Sequence, residues 1–410
     1  LILDEETRAM LGGAFGPVRR LAIEHQIRVG DFFGARDLVP VSQAHVMADT
    51  ESLGDAGVAW LEGLAAAPEE QRRVRVPTIT DPRGTDFAKA HVLKQTEAML
   101  GLEGRAIRAF RALGVTMTDT CINYQTIMAP ILGEHVAFGD TGVAIYSNSV
   151  CGARTNFEGG PSALSAGLTG RTPRYGFHLD ACRRPTHRFR VRWTPRDLSD
   201  WGALGGLIGS RSGNYWSVPF VEGIGAVPRS DELKHFGAAM ASFGSTALFH
   251  LAAITPEARI DPKLGSHLGP ATEIGEDDVR ALRASYRVTD EVDVVVFSAP
   301  QLSLLELRDL AGLCAGRSFV KPLLAVTSPQ VKPDSDRMGY TEAIEAAGGT
   351  VFSGMCFYQS YAREIAEANG WKRLATNSAK MVNILGGYGY VPMLASMEDC
   401  VAAAVTGHLP

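Results

Sequence analysis

No apolar run in this chain approaches the roughly 20 residues that a helix needs to cross a bilayer, so a helical membrane span is excluded. Basic excess is missing too. Forty Lys and Arg stand against 45 Asp and Glu, a formal net charge of -5, which leaves no basic face for nucleic acid. Cysteine is sparse: six in 410 residues, at positions 121, 151, 182, 314, 356 and 400. No two lie at CxxC spacing, which rules out a zinc ribbon or a bacterial-ferredoxin run, and so few thiols cannot form a disulfide framework. A reducing cytoplasm is the expected setting. The opening Leu1-Ile-Leu-Asp-Glu-Glu-Thr7 is neither signal-like nor transit-like. Its leucine start sets the expectation of a further segment upstream. GxGxxG, Walker A, GxSxG and HExxH are all absent, so nicotinamide, nucleoside triphosphate, esterase and zincin chemistry lose their main sequence support.

What is present is an ordinary globular composition, 45% hydrophobic and 21% charged, long enough for about two or three domains. Periodicity predicts helices at 3–10, 17–29, 53–66, 87–100 and 103–113, with short apolar or extended stretches at 38–42 and 74–80. The second stretch breaks at Asp81-Pro82-Arg-Gly84. Val115-Thr-Met-Thr-Asp-Thr-Cys121 reads as a β-branched strand ending in a thiol. Residues 141–173 are dense in Gly, Ser, Thr and Asn, as expected where backbone approaches a ligand. Residues 194–230 show no clear period and read as an irregular crossing. Beyond a predicted helix at 231–243 and strand at 246–254, strand and helix alternate, led by the apolar Val292–Ser298. That rhythm implies βαβ units. The expected fold class is α/β with mostly parallel sheets: residues 1–286 as two interleaved α/β domains, residues 287–410 as a βαβ-rich domain.

Three strand ends carry candidate ligands. Cys121 follows VTMTDT, Ser298 follows VDVVVF, and Cys356 follows TVFSGM. Thiolates converging there would suit iron, since soft sulfur donors favour it; buried structural cysteines are the competing interpretation, and residue type alone favours it. His45 after a strand either orients a substrate or simply packs. Asp81 before Pro82 is a candidate site residue or a turn former. Lys380, after Thr-Asn-Ser-Ala, faces a helix start suited to a carboxylate, or is an exposed helix lysine. Arg154 offers a fork for a carboxylate or a surface ion pair.

The block Asn148-Ser-Val-Cys-Gly-Ala-Arg-Thr-Asn-Phe-Glu-Gly-Gly-Pro-Ser-Ala-Leu-Ser-Ala-Gly-Leu-Thr-Gly-Arg-Thr-Pro173 closely resembles the large-subunit domain of aconitase X, a divergent branch of the aconitase superfamily. So do Leu38–His45, Thr80–Gly84, Asp119–Cys121, Leu248–Glu257, Ala299–Ser303 and Leu374–Lys380, which together cover nearly the whole length. The resemblance implies aconitase-like α/β layers around an iron centre. It also implies a small swivelling domain, outside this chain, whose serine is the catalytic base. The family dehydrates cis-3-hydroxy-L-proline to a pyrroline carboxylate, or mevalonate 5-phosphate.

Its metal cysteines fall on Cys121 and Cys356. The third ligand of the family lies in a GCPHLS-like segment, here Phe297-Ser-Ala-Pro-Gln-Leu-Ser303, where Ser298 is taken to replace the cysteine. That departure favours a 2Fe–2S iron–sulfur cluster over a 4Fe–4S one, or mononuclear iron, with Cys151 as a substitute ligand or as core. The family's substrate positions fall on Ala48, Asp49, Thr50, Asp81, Pro82, Asp140, Thr141 and Lys380. Asn148, Arg154, Asn156, Asn377 and Ser378 extend this set, and Lys380 and His45 are the catalytic candidates. An acidic Asp49 is expected to repel a phosphate and pair with a secondary ammonium, so the expected substrate is the hydroxy amino acid. Mevalonate 5-phosphate, or another small hydroxy acid, is the alternative, and a non-catalytic iron-binding module is the rival from another class. The expected partners are that small molecule and the swivelling domain, with neither nucleic acid nor membrane.

Overall fold

Three parallel sheets of three, four and five strands, each flanked by helices, organise residues 1–410 of this computed structural model, an α/β architecture. The first carries the strands β1 (Leu38–Pro40), β2 (Ala44–Val46), β3 (Thr78–Thr80), β4 (Ala137–Phe138) and β5 (Arg171–Pro173). Strands β3, β2 and β4 lie side by side and parallel, while β1 and β5 form a separate antiparallel ribbon. The strands of the sheet are short, and an aspartate stands one to three residues beyond the carboxyl end of each. Thus β2 leads to Asp49, β3 to Asp81 and β4 to Asp140, so three aspartates leave the same edge of one sheet. This edge is where open α/β sheets place their ligands. Two of the aspartates then cap helices. Asp49 accepts the Ser52 amide (2.8 Å) before Thr50–Ala65, and Asp140 accepts the Val143 amide (2.9 Å) before Thr141–Tyr146.

The second sheet contains β6 (His187–Val191), β7 (Pro219–Glu222), β8 (His250–Leu251) and β9 (Thr272–Ile274), in the order β8-β7-β6-β9. The crossing expected at 194–230 is not irregular. It holds the helix Leu198–Ser212 and strand β7. Twelve of the 15 helix residues are buried, so no polar face remains to mark a period in the sequence. Its glycines are needed for contact. A Cβ on Gly205 would stand 2.1 Å from the Phe236 carbonyl oxygen, and one on Gly209 2.4 Å from that of Met240. The helix Ser230–Gly244 therefore packs against it backbone to backbone.

The third sheet runs β12-β11-β10-β13-β14, from β10 (Val294–Leu302), β11 (Leu323–Thr327), β12 (Thr350–Ser353), β13 (Arg373–Thr376) and β14 (Val391–Leu394). All nine residues of β10 are buried, as the apolar run predicts for a central parallel strand. Side chains of the second and third sheets share one continuous core, with Trp201, Phe236, Val295 and Phe297 among its members.

Three local expectations fail. Residues 87–100 are not one helix: a 3-10 turn, Ala90–Leu93, precedes the helix Glu97–Ala112, which Thr96 caps. Residues 246–254 shrink to the two-residue β8. Val115–Cys121 is no regular strand, and its one backbone bridge to the sheet runs from Thr116 to Ile79. Threonine side chains replace the ladder there. Thr118 and Thr80 exchange three bonds of 3.0–3.2 Å, and Asp119 turns to φ 53°. No helix is long and apolar enough to cross a membrane.

Candidate active site

At the first sheet's edge Asp140 meets Lys380, delivered from the third sheet by the turn after β13. Lys380 Nζ lies 3.4 Å from Asp140 Oδ1 and 3.4 Å from Thr141 Oγ1, and 5.5 Å over the Tyr358 ring. Burial alone would depress the amine, but Asp140, then Cys121, Cys356 and Asp81, raise it, so it stays an ammonium. For Asp140 burial works upward, and Lys380 with the Val143 amide holds the carboxyl below its usual range. Asp81 is the opposite case. It is 1% exposed, and burial together with Asp140 lifts it well above a normal carboxyl. Its Oδ1 has no hydrogen-bond partner and faces His45 Nε2 at 3.6 Å, while Oδ2 accepts from Gln359 at 3.4 Å. A carboxyl pushed up by burial beside one cation is an arrangement suited to acid catalysis.

The thiols come to the same place. Cys121 and Cys356 are both buried, and Ser298 Oγ stands 4.0 Å from Cys356 Sγ while accepting from the Phe357 amide at 3.2 Å. Burial, then Asp81 and Asp140, push Cys121 well up; burial pushes Cys356 up to about 12 against the pull of Lys380. Such thiols stay protonated unless a cation joins them. Two thiols and a hydroxyl at a buried polar edge fit a soft cation. No three His, Cys, Asp or Glu side chains gather in a metal-ligating arrangement. Cys151 is half-buried and packs against the large shared core, and burial lifts it to about 11, which matches the core alternative for it.

Several expected residues do other work. Asn148 spends its amide on the Thr155 and Ala247 carbonyls and accepts from the Thr155 amide and Arg183. Asn156 bridges the Tyr175 carbonyl and the Phe177 amide. Arg154 pairs with exposed Asp180 and donates to the His178 carbonyl (3.1 Å), away from the cation and thiols. These three are structural, so the assignment of substrate contacts to them is corrected. His45 is fully buried, with Nε2 donating to the Thr120 carbonyl at 2.9 Å, so it holds the turn before Cys121 rather than reaching a substrate. Ser378 caps Ala379–Leu385 and donates to the Ala299 carbonyl at 2.7 Å. Ala48 belongs to the apolar core; Pro82 and Asn377 are buried beside the site, and Thr50 lies in the layer beneath it.

Four contributors carried no motif. Gln359 donates to both Asp49 (3.3 Å) and Asp81 (3.4 Å), Tyr358 lies under the Lys380 ammonium, and Gln301 reaches the Cys121 loop. Glu103 is 1% exposed, accepts from Thr50 Oγ1 at 2.6 Å, and leaves Oε1 without a partner. Burial, with Asp49 adding repulsion, raises it to about 7. Only Glu103 could have been found in the sequence. It shares a helical stripe with Ala106 and Phe110, where a carboxylate is out of place.

Residues 1–181 match the aconitase X first domain, 185–284 its second domain and 292–406 its third domain. A phosphomevalonate dehydratase large subunit of Methanothermobacter thermautotrophicus is 35% identical, over 97% of this chain and 95% of that protein. A cis-3-hydroxy-L-proline dehydratase of Pseudomonas aeruginosa is 30% identical, over 100% of this chain and 70% of that protein. The crystal structure of Thermococcus kodakaraensis aconitase X in its holo form superposes with a TM-score of 0.89. It is 30% identical, covering 98% of this chain and 100% of that one.

Proposed function

The chain belongs to the aconitase X family, and from that membership we propose that it removes water from mevalonate 5-phosphate or a closely related phosphorylated hydroxy acid. Hydro-lyase chemistry on a small hydroxy acid is common ground, because both kinds of relative are named as dehydratases. The observation that carries the choice of substrate is the state of Asp49. An ammonium substrate needs a free, fixed anion there. Instead Asp49 is fully buried, with Oδ1 taken by the Ser52 amide and Oδ2 by Gln359, and burial lifts the carboxyl to about 6. The argument that favoured cis-3-hydroxy-L-proline therefore lapses. The 30–35% identity to phosphomevalonate dehydratase large subunits, over 93–99% of this chain, supports the phosphorylated acid.

Both candidate substrates are β-hydroxy acids, losing a proton next to the carboxylate and the hydroxyl one carbon further on. Lys380 binds the carboxylate and offsets the charge that builds on it as the proton leaves. Asp140 keeps the ammonium charged and pointed. Asp81, held neutral, gives its proton to the departing hydroxyl, which leaves as water. Cys121 and Cys356, with Ser298 beside them, are the residues that would hold iron, which supplies Lewis acidity toward a substrate oxygen. No carboxylate here is free to act as base: Asp140 is committed to Lys380, Asp49 to Ser52 and Gln359, and burial pushes the Asp81 carboxyl well up, toward its protonated form. That supports a base from elsewhere, the serine of the small swivelling domain.

The test is turnover by the complete enzyme, small domain included. We expect kcat/KM for mevalonate 5-phosphate to exceed that for cis-3-hydroxy-L-proline by at least about 100-fold, as buried polar recognition allows. The opposite preference overturns the assignment of substrate.

A further inference from the structure

The two thiols reach the site from different sheets, so something must set their spacing. We propose that Gln301, which touches both loops and neither substrate nor metal, is the positioning residue that fixes it. The proposal rests on Cys121 and Cys356 being metal ligands. Gln301 is fully buried near the end of β10, where pairing with β11 shifts register between Phe297 and Leu302. This irregularity turns its side chain toward the loops. The side-chain amide makes three bonds at once: Oε1 accepts from the Cys121 amide (3.3 Å), and Nε2 donates to the carbonyls of Asp119 (3.1 Å) and Met355 (3.2 Å). Two of these partners flank or belong to the first thiol, and the third immediately precedes the second. Its backbone amide adds a bond to Cys121 Sγ at 3.4 Å.

The chemistry requires glutamine. Two carbonyls need two N–H donors and one amide needs an acceptor, all within a single planar group, which also fixes the orientation of the amide. A carboxylate has no donors to offer, and an apolar side chain has neither function. The far end of the clamp is anchored as well. Lys234, fully buried on the helix Ser230–Gly244, donates to the Gln301 carbonyl at 3.0 Å and pairs with Glu306. Glu306 also accepts from the Ser303 amide (2.8 Å) and lies 2.7 Å from His235 Nε2. All three sheets thus converge on one residue. The loops have other ties through Arg83, whose backbone bonds Gly354 (3.0 Å) and Cys356 (3.2 Å) and whose side chain pairs with Asp119 (3.0 Å), so their approximate proximity survives without Gln301. What Gln301 adds is precision of spacing.

The experiment is a Cd2+ titration of the anaerobically purified full chain, read by the sulfur-to-metal charge-transfer band, alongside melting temperature. Wild type should bind one Cd2+ through the thiol pair, and Cys121→Ala/Cys356→Ala none. A wild-type chain that binds no Cd2+, or a double variant that still binds it, refutes the ligand reading itself. With that reading intact, Gln301→Met should weaken Cd2+ about 150-fold, the equivalent of three lost neutral hydrogen bonds. Gln301→His, which keeps one donor and one acceptor, should lose about tenfold or less, and it decides the matter if the methionine variant does not fold. Ile23→Ala, in the distant helix Pro17–Phe32, should lower the melting temperature while leaving Cd2+ affinity unchanged. Wild-type affinity in folded Gln301→Met, or in folded Gln301→His when the methionine variant does not fold, overturns the proposal. So does an affinity loss in Ile23→Ala equal to that of the Gln301 variant.

Discussion

Replacing Glu103 by glutamine should stabilise this protein at pH 8 and not at pH 5. Glu103 is raised from 4.5 to about 7, chiefly by burial and secondarily by Asp49, with Thr50 pulling the other way. The native state therefore keeps a proton that the unfolded chain releases across the window from pH 4.5 to 7. Stability from this group is complete below that window and is lost as pH rises through it. At 1.36 kcal/mol per pKa unit, a shift of this size removes about 3 kcal/mol by pH 8. Glu103→Gln carries no charge in either state, so it escapes the loss. Its carbonyl can still accept from Thr50 Oγ1, but its NH2 takes the place of Oε1, which has no partner, and that costs about 1 kcal/mol. The expected balance is a gain of about 2 kcal/mol at pH 8 and a loss of about 1 kcal/mol at pH 5. Urea or thermal midpoints of the two proteins at both pH values provide the measurement. A variant that loses as much stability at pH 8 as at pH 5 refutes the reasoning, because Glu103 would then have been ionised in the native state at no cost.

Other substitutions separate site from scaffold. Lys380→Ala should lower kcat of the complete enzyme by at least about 100-fold, and should destabilise the fold by about 3 kcal/mol because Asp140 loses its buried partner. Arg154→Ala should leave turnover unchanged and cost under about 1 kcal/mol in a melt, since its partner Asp180 is exposed. Gly205→Ala drives a methyl into the Phe236 carbonyl and should cost about 3 kcal/mol or prevent folding, read by circular dichroism and melting temperature. Cys356→Ala should release the iron found by metal analysis of anaerobically purified protein while leaving the melt of the iron-free chain within about 2 kcal/mol of wild type.

Legibility from the sequence followed physical locality. Parallel α/β order was readable where a strand opens on an apolar run, as in Val294–Val296, because a central parallel strand is buried on both faces. The helix Leu198–Ser212 was not readable, since burial on nearly every side erases the polar face that periodicity depends on. The sequence placed Cys121, Cys356 and Ser298 at strand ends; the geometry brings Ser298 beside Cys356, while Cys121 follows a threonine-bonded turn and no regular strand. One detail of that segment needs correction. Aligned without a gap on Pro300, Leu302 and Ser303, the family's G-C-P-H-L-S places its cysteine on Ala299, not Ser298. Serine therefore neighbours the vacated position, whose own methyl offers no donor. Gln301 and Gln359 were invisible because a glutamine announces nothing until its partners, 54 to 310 residues away, are in place. Arg154 and Asn156 show the converse: polar residues in a glycine-rich block looked ligand-facing, yet they serve the packing of that block.

The two thiols leave the ribosome far apart in time. With roughly 200 residues between Cys121 and Cys356, synthesis at about 5–20 residues per second keeps the first waiting ten seconds or more for the second. For all of that interval Cys121 lacks its partner thiol, and for most of it Gln301, since both follow it in the chain. A nascent chain therefore cannot load metal piecemeal, and loading becomes a certificate that the first and third sheets have already docked. Chains damaged at Cys121 while they wait would fold around an empty centre, so an oxidising or iron-starved cell should accumulate folded but inactive protein rather than aggregates.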